Sequence, residues 1–198
     1  MEQLITLLKM IAPMSAALEA HLRSIIRKHE YKKGDTILPL GSVCDQIFFI
    51  ESGLVRSFHR HKGKEISIWF MKQGDVCIAV LSFFRRIAAM EAHVALEDCV
   101  CWGISHAELH ATYALFPEFR EHGRLLTQEY YCRSEERALD TKLKSALERY
   151  QALMDKDPDL ILRVPNRYLA SYIGMAERTL TKKKNEYLNK KKSGNAKK

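Results

Sequence analysis

Residues 163–188 read RVPNRYLASYIGMAERTLTKKKNEYL, and the rest of the chain is understood from this stretch outward. Tyr168, Leu169, Tyr172 and Ile173 form an apolar face at i, i+1, i+4 and i+5, the spacing of one side of a helix. Ala170 is small where a second helix must cross closely. Gly174 stands where the first helix must stop in a left-handed backbone conformation. Met175 continues the apolar side of the turn, and Leu180 is the inward residue of a second helix starting near Ala176. Lys183 occupies a position that suits an aliphatic residue, with its stem along the core and its ammonium in water. Apolar-Ala-x-x-apolar-Gly, followed six residues later by an aliphatic side chain, is the spacing of a helix-turn-helix.

Charge changes at the same boundary. Residues 163–198 carry eleven Lys and Arg against two Glu, a net of +9, while the whole chain is +8, so the first 162 residues together are −1. Such asymmetry points to nucleic acid or an acidic membrane surface. The lysine-rich end over 190–198 reads as a solvated tail. With 46% hydrophobic and 28% charged residues, the composition is that of a soluble globular protein. The N-terminal apolar pattern is interrupted by Glu2 and Lys9 and is too short to span a bilayer, so neither a leader nor a membrane anchor is expected. Cys44, Cys77, Cys99, Cys101 and Cys132 are odd in number and lack framework spacing, which fits a reducing cytoplasm.

At 198 residues the chain holds one large domain or two small ones. Leu4, Leu7, Leu8, Ile11, Leu18, Leu22, Ile25 and Ile26 are at helical spacing, broken at Pro13, which predicts two short helices with Ser15 capping the second. From Tyr31 onward, Gly34-Asp35, Gly41-Ser42, Ser52-Gly53, Gly63-Lys64 and Gly74-Asp75 mark turns between short strands. The strands are expected over 36–40, 46–51, 54–61, 65–71, 76–81, 93–96 and 100–104, with Ile66, Ile68 and Phe70 facing away from Ser67, Trp69 and Met71. Many short strands at this spacing predict a β-sandwich, barrel or jelly roll. Ser105 caps a helix through Leu115, and Pro117 opens a long helix to about Asp155. Leu125, Leu126, Tyr130, Tyr131, Leu139, Leu143 and Leu147 run along it, more apolar surface than one small roll covers, so a second copy is expected against it in a parallel dimer. Gly123 weakens its start, and residues 156–159, with Pro158, read as a hinge.

The 163–188 stretch resembles the helix-turn-helix of the Crp/Fnr family of bacterial transcription regulators, on Leu169-Ala170-Ser171-Tyr172-Ile173-Gly174 and Glu177-Arg178-Thr179-Leu180-Thr181-Lys182. Upstream, Lys33-Gly34-Asp35, the IFFIESGLVR run over 47–56, Gly63-Lys64-Glu65 and Gly74-Asp75 resemble the cyclic-nucleotide-binding jelly roll of the same family turn by turn. Glu148-Arg149-Tyr150 is similar to that family's Glu-Arg-Tyr run. The resemblance implies an α+β fold: an antiparallel β jelly roll with flanking helices as sensor over 1–115, a long dimerisation helix over 116–155, and a helix-turn-helix region with a basic tail over 156–198. With few residues after Leu188, no full β-hairpin wing is expected. The expected function is a cytoplasmic, homodimeric, non-enzymatic transcription regulator. Its expected partners are double-stranded DNA, a second copy, RNA polymerase and a small-molecule effector, with no membrane. Base-reading positions carry over to Glu177, Arg178, Thr181 and Lys182, and helical spacing adds Lys184 and Asn185 to the outward face.

In nucleotide-binding members of that family a Gly amide and an Arg meet the phosphate and a Glu accepts from the ribose. Here the Gly-Glu position holds Ile78 and Ala79, and the Arg position falls near Ala89, with Arg85 and Arg86 just upstream. These five are the candidate effector residues; cyclic AMP is not the expected effector and no cofactor is implied. Gly53-x5-His59-x-His61-x3-Glu65 approaches the first metal motif of cupin enzymes, so His59, His61 and Glu65 are metal candidates and a cupin-like metalloenzyme is the enzymatic alternative. The other alternative, encouraged by Lys183, is a degenerate member that dimerises without specific DNA binding. Cys99 and Cys101 read as packing residues.

Overall fold

Ser15 accepts a hydrogen bond from Leu18 N and so separates α1 (Glu2–Ile11) from α2 (Ala16–Ile25), the two helices expected on either side of Pro13. The structure is a computed structural model that describes residues 1–185. The chain then enters β1 (Arg27–Tyr31), a strand the apolar pattern hides, because its half-buried residues are His29 and Tyr31 rather than aliphatic ones. β2 (Thr36–Leu38), β3 (Gln46–Ser52), β4 (Leu54–His61), β5 (Lys64–Lys72), β6 (Val76–Cys77), β7 (Glu91–Ala95) and β8 (Cys99–Ser105) follow. They form two four-stranded antiparallel sheets, ordered β1-β8-β3-β6 and β2-β7-β4-β5. Ile50, Val55, Met71, Cys77, Cys99 and Cys101 close the space between them. The outer side of the first sheet is covered by the helices, through Leu8, Leu22, Phe49, Phe83, Ile104 and Leu109.

Two expectations about this roll change. The 76–81 strand ends at Cys77, and Val80–Arg85 is a short helix, α3, whose Ser82 and Phe83 are buried while Arg86 closes it at φ +55°. Simple alternation along β5 also fails. Ser57 pairs with Trp69 and Phe58 with Ser67, so Ile68 is an extra residue in β5 and forms a β-bulge. The bulge brings Ile68 onto the same side as Trp69 and Met71, and leaves Ser67 and Phe70 facing the other way.

Ser105 and Glu108 form a capping box at the start of α4 (His106–Leu115). The long helix expected from Pro117 is two helices, α5 (Phe119–Leu143) and α6 (Ala146–Lys156). Lys144 between them is extended, at φ −99° and ψ 140°, and a second capping box, Ser145 with Glu148, restarts the helix. The expected hinge at 156–159 is helical too: Pro158 opens α7 (Pro158–Arg163), capped by Asp157, which accepts from Leu160 N. α8 (Asn166–Ile173) ends at Gly174 with φ +67°, and a ninth helix, α9, begins at residue 177 and runs to the last described residue, 185. The absence of a wing and the Lys190–198 tail were expectations on residues outside those described. Among the described residues no helix is long and apolar enough to cross a membrane.

Candidate effector cavity and nucleic-acid interface

α7, α8 and α9 share one apolar cluster. Leu160, Ile161, Leu169, Ile173 and Leu180 pack with Tyr150 of α6 and with Leu54 and Phe70 of the second sheet. Leu180 is 0% exposed, the inward residue that the sequence indicated. With Leu180 inward, the six candidate DNA contacts divide into two sets. Glu177, Arg178, Lys182 and Asn185 are exposed. Thr181 and Lys184 are half-buried and turned toward the start of α8: Asn166 Nδ2 donates to Thr181 Oγ1 at 3.1 Å, and Lys184 Nζ donates to Asn166 Oδ1 at 3.1 Å. Burial lowers the Lys184 ammonium below its ordinary value. Arg178, Lys182 and Asn185, at i, i+4 and i+7, therefore make one exposed polar stripe.

α8 lies on the outer face of the β4–β5 ribbon. Ser171 Oγ accepts from Ser67 N at 2.9 Å and donates to Ser67 Oγ at 3.0 Å. The Tyr172 ring meets Phe70 at 5.0 Å between centroids and carries the Arg137 guanidinium of α5 at 3.7 Å. Arg56, 2% exposed, is held between the Phe58 and Tyr168 rings while donating to Ser67 Oγ and Glu65 Oε2. Arg163 adds a bidentate pair to Glu97, at 2.9 and 2.6 Å, and a bond to Gly53 O.

The inner face of the same ribbon borders a cavity of about 490 Å³ lying between the roll and α5. Ser57, Ile68, Trp69 and Met71 line it from the ribbon; Leu126, Thr127 and Tyr130 line it from α5. Exposed Val80, Phe84 and Tyr131 mark its mouth. Of the expected effector residues, Ile78 alone lines it. Ala79 caps α3, and Ala89 is buried with its backbone N–H on Ser42 O and its carbonyl on Gly41 N. Arg85 is exposed outside the lining, and Arg86 is bonded to Cys44 O and Asp45 Oδ1 at 2.9 and 2.6 Å. Sequence reading missed the polar group that the cavity does contain. Glu91 Oε2 accepts from Ser57 Oγ and stands 3.3 Å from His93 Nε2, and His93 Nδ1 lies 3.3 Å from Cys77 Sγ. The Glu91-x-His93 alternation was its one signal, and the strand expected over 93–96 began too late to include it.

The metal candidates do not converge. In the β4–β5 register Glu65 is paired with Arg60, so it faces opposite to His59 and His61; it bonds Arg56 and lies 3.7 Å from Arg60, while His59 Nδ1 lies 2.6 Å from Met90 O. Among the described residues no three His, Cys, Asp or Glu side chains are grouped to hold a metal.

Residues 28–114 match the family model described as the cyclic nucleotide-binding domain. No curated protein matches the chain. Similar solved structures include FixK2 from Bradyrhizobium japonicum, at 16% identity over 84% of this chain and 86% of that one, TM-score 0.71. The c-di-GMP-responsive global regulator CLP of Xanthomonas campestris is 14% identical over 89% and 93%, TM-score 0.68. A Eubacterium rectale structure described as a Crp/Fnr-family transcriptional regulator is 16% identical over 89% and 85%, TM-score 0.69. At these identities the likeness is one of fold, and it extends past the roll into the C-terminal helices.

Proposed function

We propose that this chain is a Crp/Fnr-type transcription regulator: a roll over 1–115 that senses a small molecule, helices over 116–155 that pair two copies, and a helix-turn-helix region over 156–198 that reads double-stranded DNA and meets RNA polymerase there. The observation that carries this reading is the β4–β5 ribbon, which has the cavity against one face and α8 against the other. A ligand that moves Trp69 or Met71 moves the strand on which Ser67 and Phe70 hold α8, so occupancy of the cavity biases the position of α9. The basic excess after residue 163 supplies attraction for phosphates, and the Arg178–Lys182–Asn185 stripe supplies side chains for base edges.

The effector is not cyclic AMP. Ile78, Ala79 and Ala89 offer neither a ribose acceptor nor a cation, and each missing charge-assisted hydrogen bond forfeits about 1.5–3 kcal/mol. Calorimetry is expected to give no saturable heat with cyclic AMP, and a one-per-subunit isotherm contradicts that. Selection from random DNA tests the reading as a whole. It is expected to return a palindrome, because two-fold paired helices read two half-sites. Recovery of no sequence preference leaves the degenerate member that dimerises without reading DNA.

A further inference from the structure

The cavity has the wrong polarity for an anionic ligand. Among the described residues its lining holds one charged side chain, the carboxylate of Glu91, and no Lys or Arg. Burial pulls the Glu91 carboxyl up, but the hydrogen bonds and charge of His93 and the Ser57 hydroxyl outweigh it and leave the group below the ordinary carboxyl value, hence ionised at neutral pH. Both bonds fall on Oε2, and Oε1 has no hydrogen-bond partner among the described residues. Around this charge the walls are apolar and aromatic, with Phe49, Trp69, Met71 and Tyr130 within the lining.

We propose that Glu91, with Ser57 and His93, is the head-group site for a small amine whose apolar body fills the space under α5. An ammonium meets the open carboxylate oxygen in a poorly hydrated setting, where a charge-assisted hydrogen bond is strong. The Trp69 and Tyr130 rings accept the cation's field or stack on an aromatic body. About 490 Å³ is the size of pocket that encloses such a molecule. A carboxylate or phosphate ligand would bring its charge against that of Glu91 with no Lys or Arg in the lining to offset it, and with His93 outside the lining and engaged on Oε2. Binding needs no DNA; the inference rests on the sensor reading only for what occupancy then does to α8.

The test uses the full chain and three matched probes: tryptamine, its neutral alcohol analogue tryptophol, and indole-3-acetate. A second set built on phenethylamine and cyclic AMP as an anionic comparison complete the panel, with affinities measured by ligand-observed NMR and calorimetry. The amine of each set is expected to bind at least about tenfold more tightly than the acid, with the alcohol between. Glu91→Gln is expected to bring the amine-to-acid ratio close to one. Equal or tighter binding of the acids or of cyclic AMP, binding by none of the probes, or a ratio unchanged in Glu91→Gln overturns the proposal. The amine–acid contrast in the unaltered protein decides the matter even if the variant fails to fold. A contrast that holds while DNA selection fails removes the regulator reading and leaves the site; the opposite pair of results removes the site alone.

Discussion

Arg149 joins two helix ends. Its Nε donates to Ile173 O at the end of α8, at 2.9 Å, and its Nη1 donates to Lys144 O and Thr141 O at the end of α5, at 2.5 and 3.3 Å. Helix C-termini leave carbonyls unsatisfied and carry partial negative charge, so a guanidinium is suited to both. Arg149→Ala should lower stability by about 1.5–3 kcal/mol in urea unfolding, and Arg149→Lys should recover only part of it, because an ammonium lacks the planar fork. Gly174, readable from sequence as the left-handed stop, has φ +67°, a backbone conformation that side chains with a Cβ rarely adopt. Arg149's own role was not readable, since its carbonyl partners lie 5, 8 and 24 residues away. Glu91 gives a pH signature. Its folded value is depressed, so its contribution to stability is complete above the unfolded carboxylate value and is lost as pH falls through the folded one. Between about pH 5 and pH 3 the thermal midpoint of the unaltered protein should fall more steeply than that of Glu91→Gln; parallel curves would remove this role.

Among the elements, α5 shows most clearly what pattern reading catches and what it misses. Its inward apolar residues are engaged within the chain: Phe119 and Leu126 in the core of the roll's helices, and Tyr130 through an acceptor bond from Val76 N. Tyr131, Leu139 and Leu143 remain exposed, the last at 78%. Leu125, Cys132 and Leu139 stand seven apart, the repeat of a two-helix seam. In a parallel dimer the two Cys132 thiols face each other across that seam. Cys132 is exposed while the other four cysteines are buried, so mild oxidation should give a single covalent dimer that Cys132→Ser abolishes. Replacing Leu139 and Leu143 by Asp should give monomers in light scattering, and an unaltered protein that is already monomeric at micromolar concentration refutes the seam. The break after Leu143 escaped the apolar period because Leu143 and Leu147 stay four apart across it; the Ser145-x-x-Glu148 box was its written sign. β1 and α3 were hidden for the opposite reason, a polar strand and an apolar helix beside the roll. Turn glycines made the main strands legible. The Ser57–Glu91–His93–Cys77 cluster draws on β4, β6 and β7, and only its Glu91-x-His93 pair left a local spacing to read.

For the whole molecule, the proposed DNA contacts are the measurable end of the proposed path. Arg178→Ala should weaken binding to a selected palindrome by about 1–3 kcal/mol and relax preference at one base pair. Lys184→Ala should act less on sequence preference, since its ammonium is committed to Asn166. A comparable loss of discrimination in both variants would count against the division of α9 into an outward stripe and a side turned to α8. The docking of α8 has one more consequence, for solubility. β5 is the outer strand of its sheet, nine residues long, and a strand edge of that length can pair with another chain. The bulge at Ile68 interrupts its ladder, and α8 takes the Ser67 N–H and covers Phe70. Any state in which α8 lifts away, by ligand, by mutation or by proteolysis before residue 157, uncovers Leu54 and Phe70 together with that free donor. Such a state should be prone to strand-to-strand self-association, seen as a rise in light scattering.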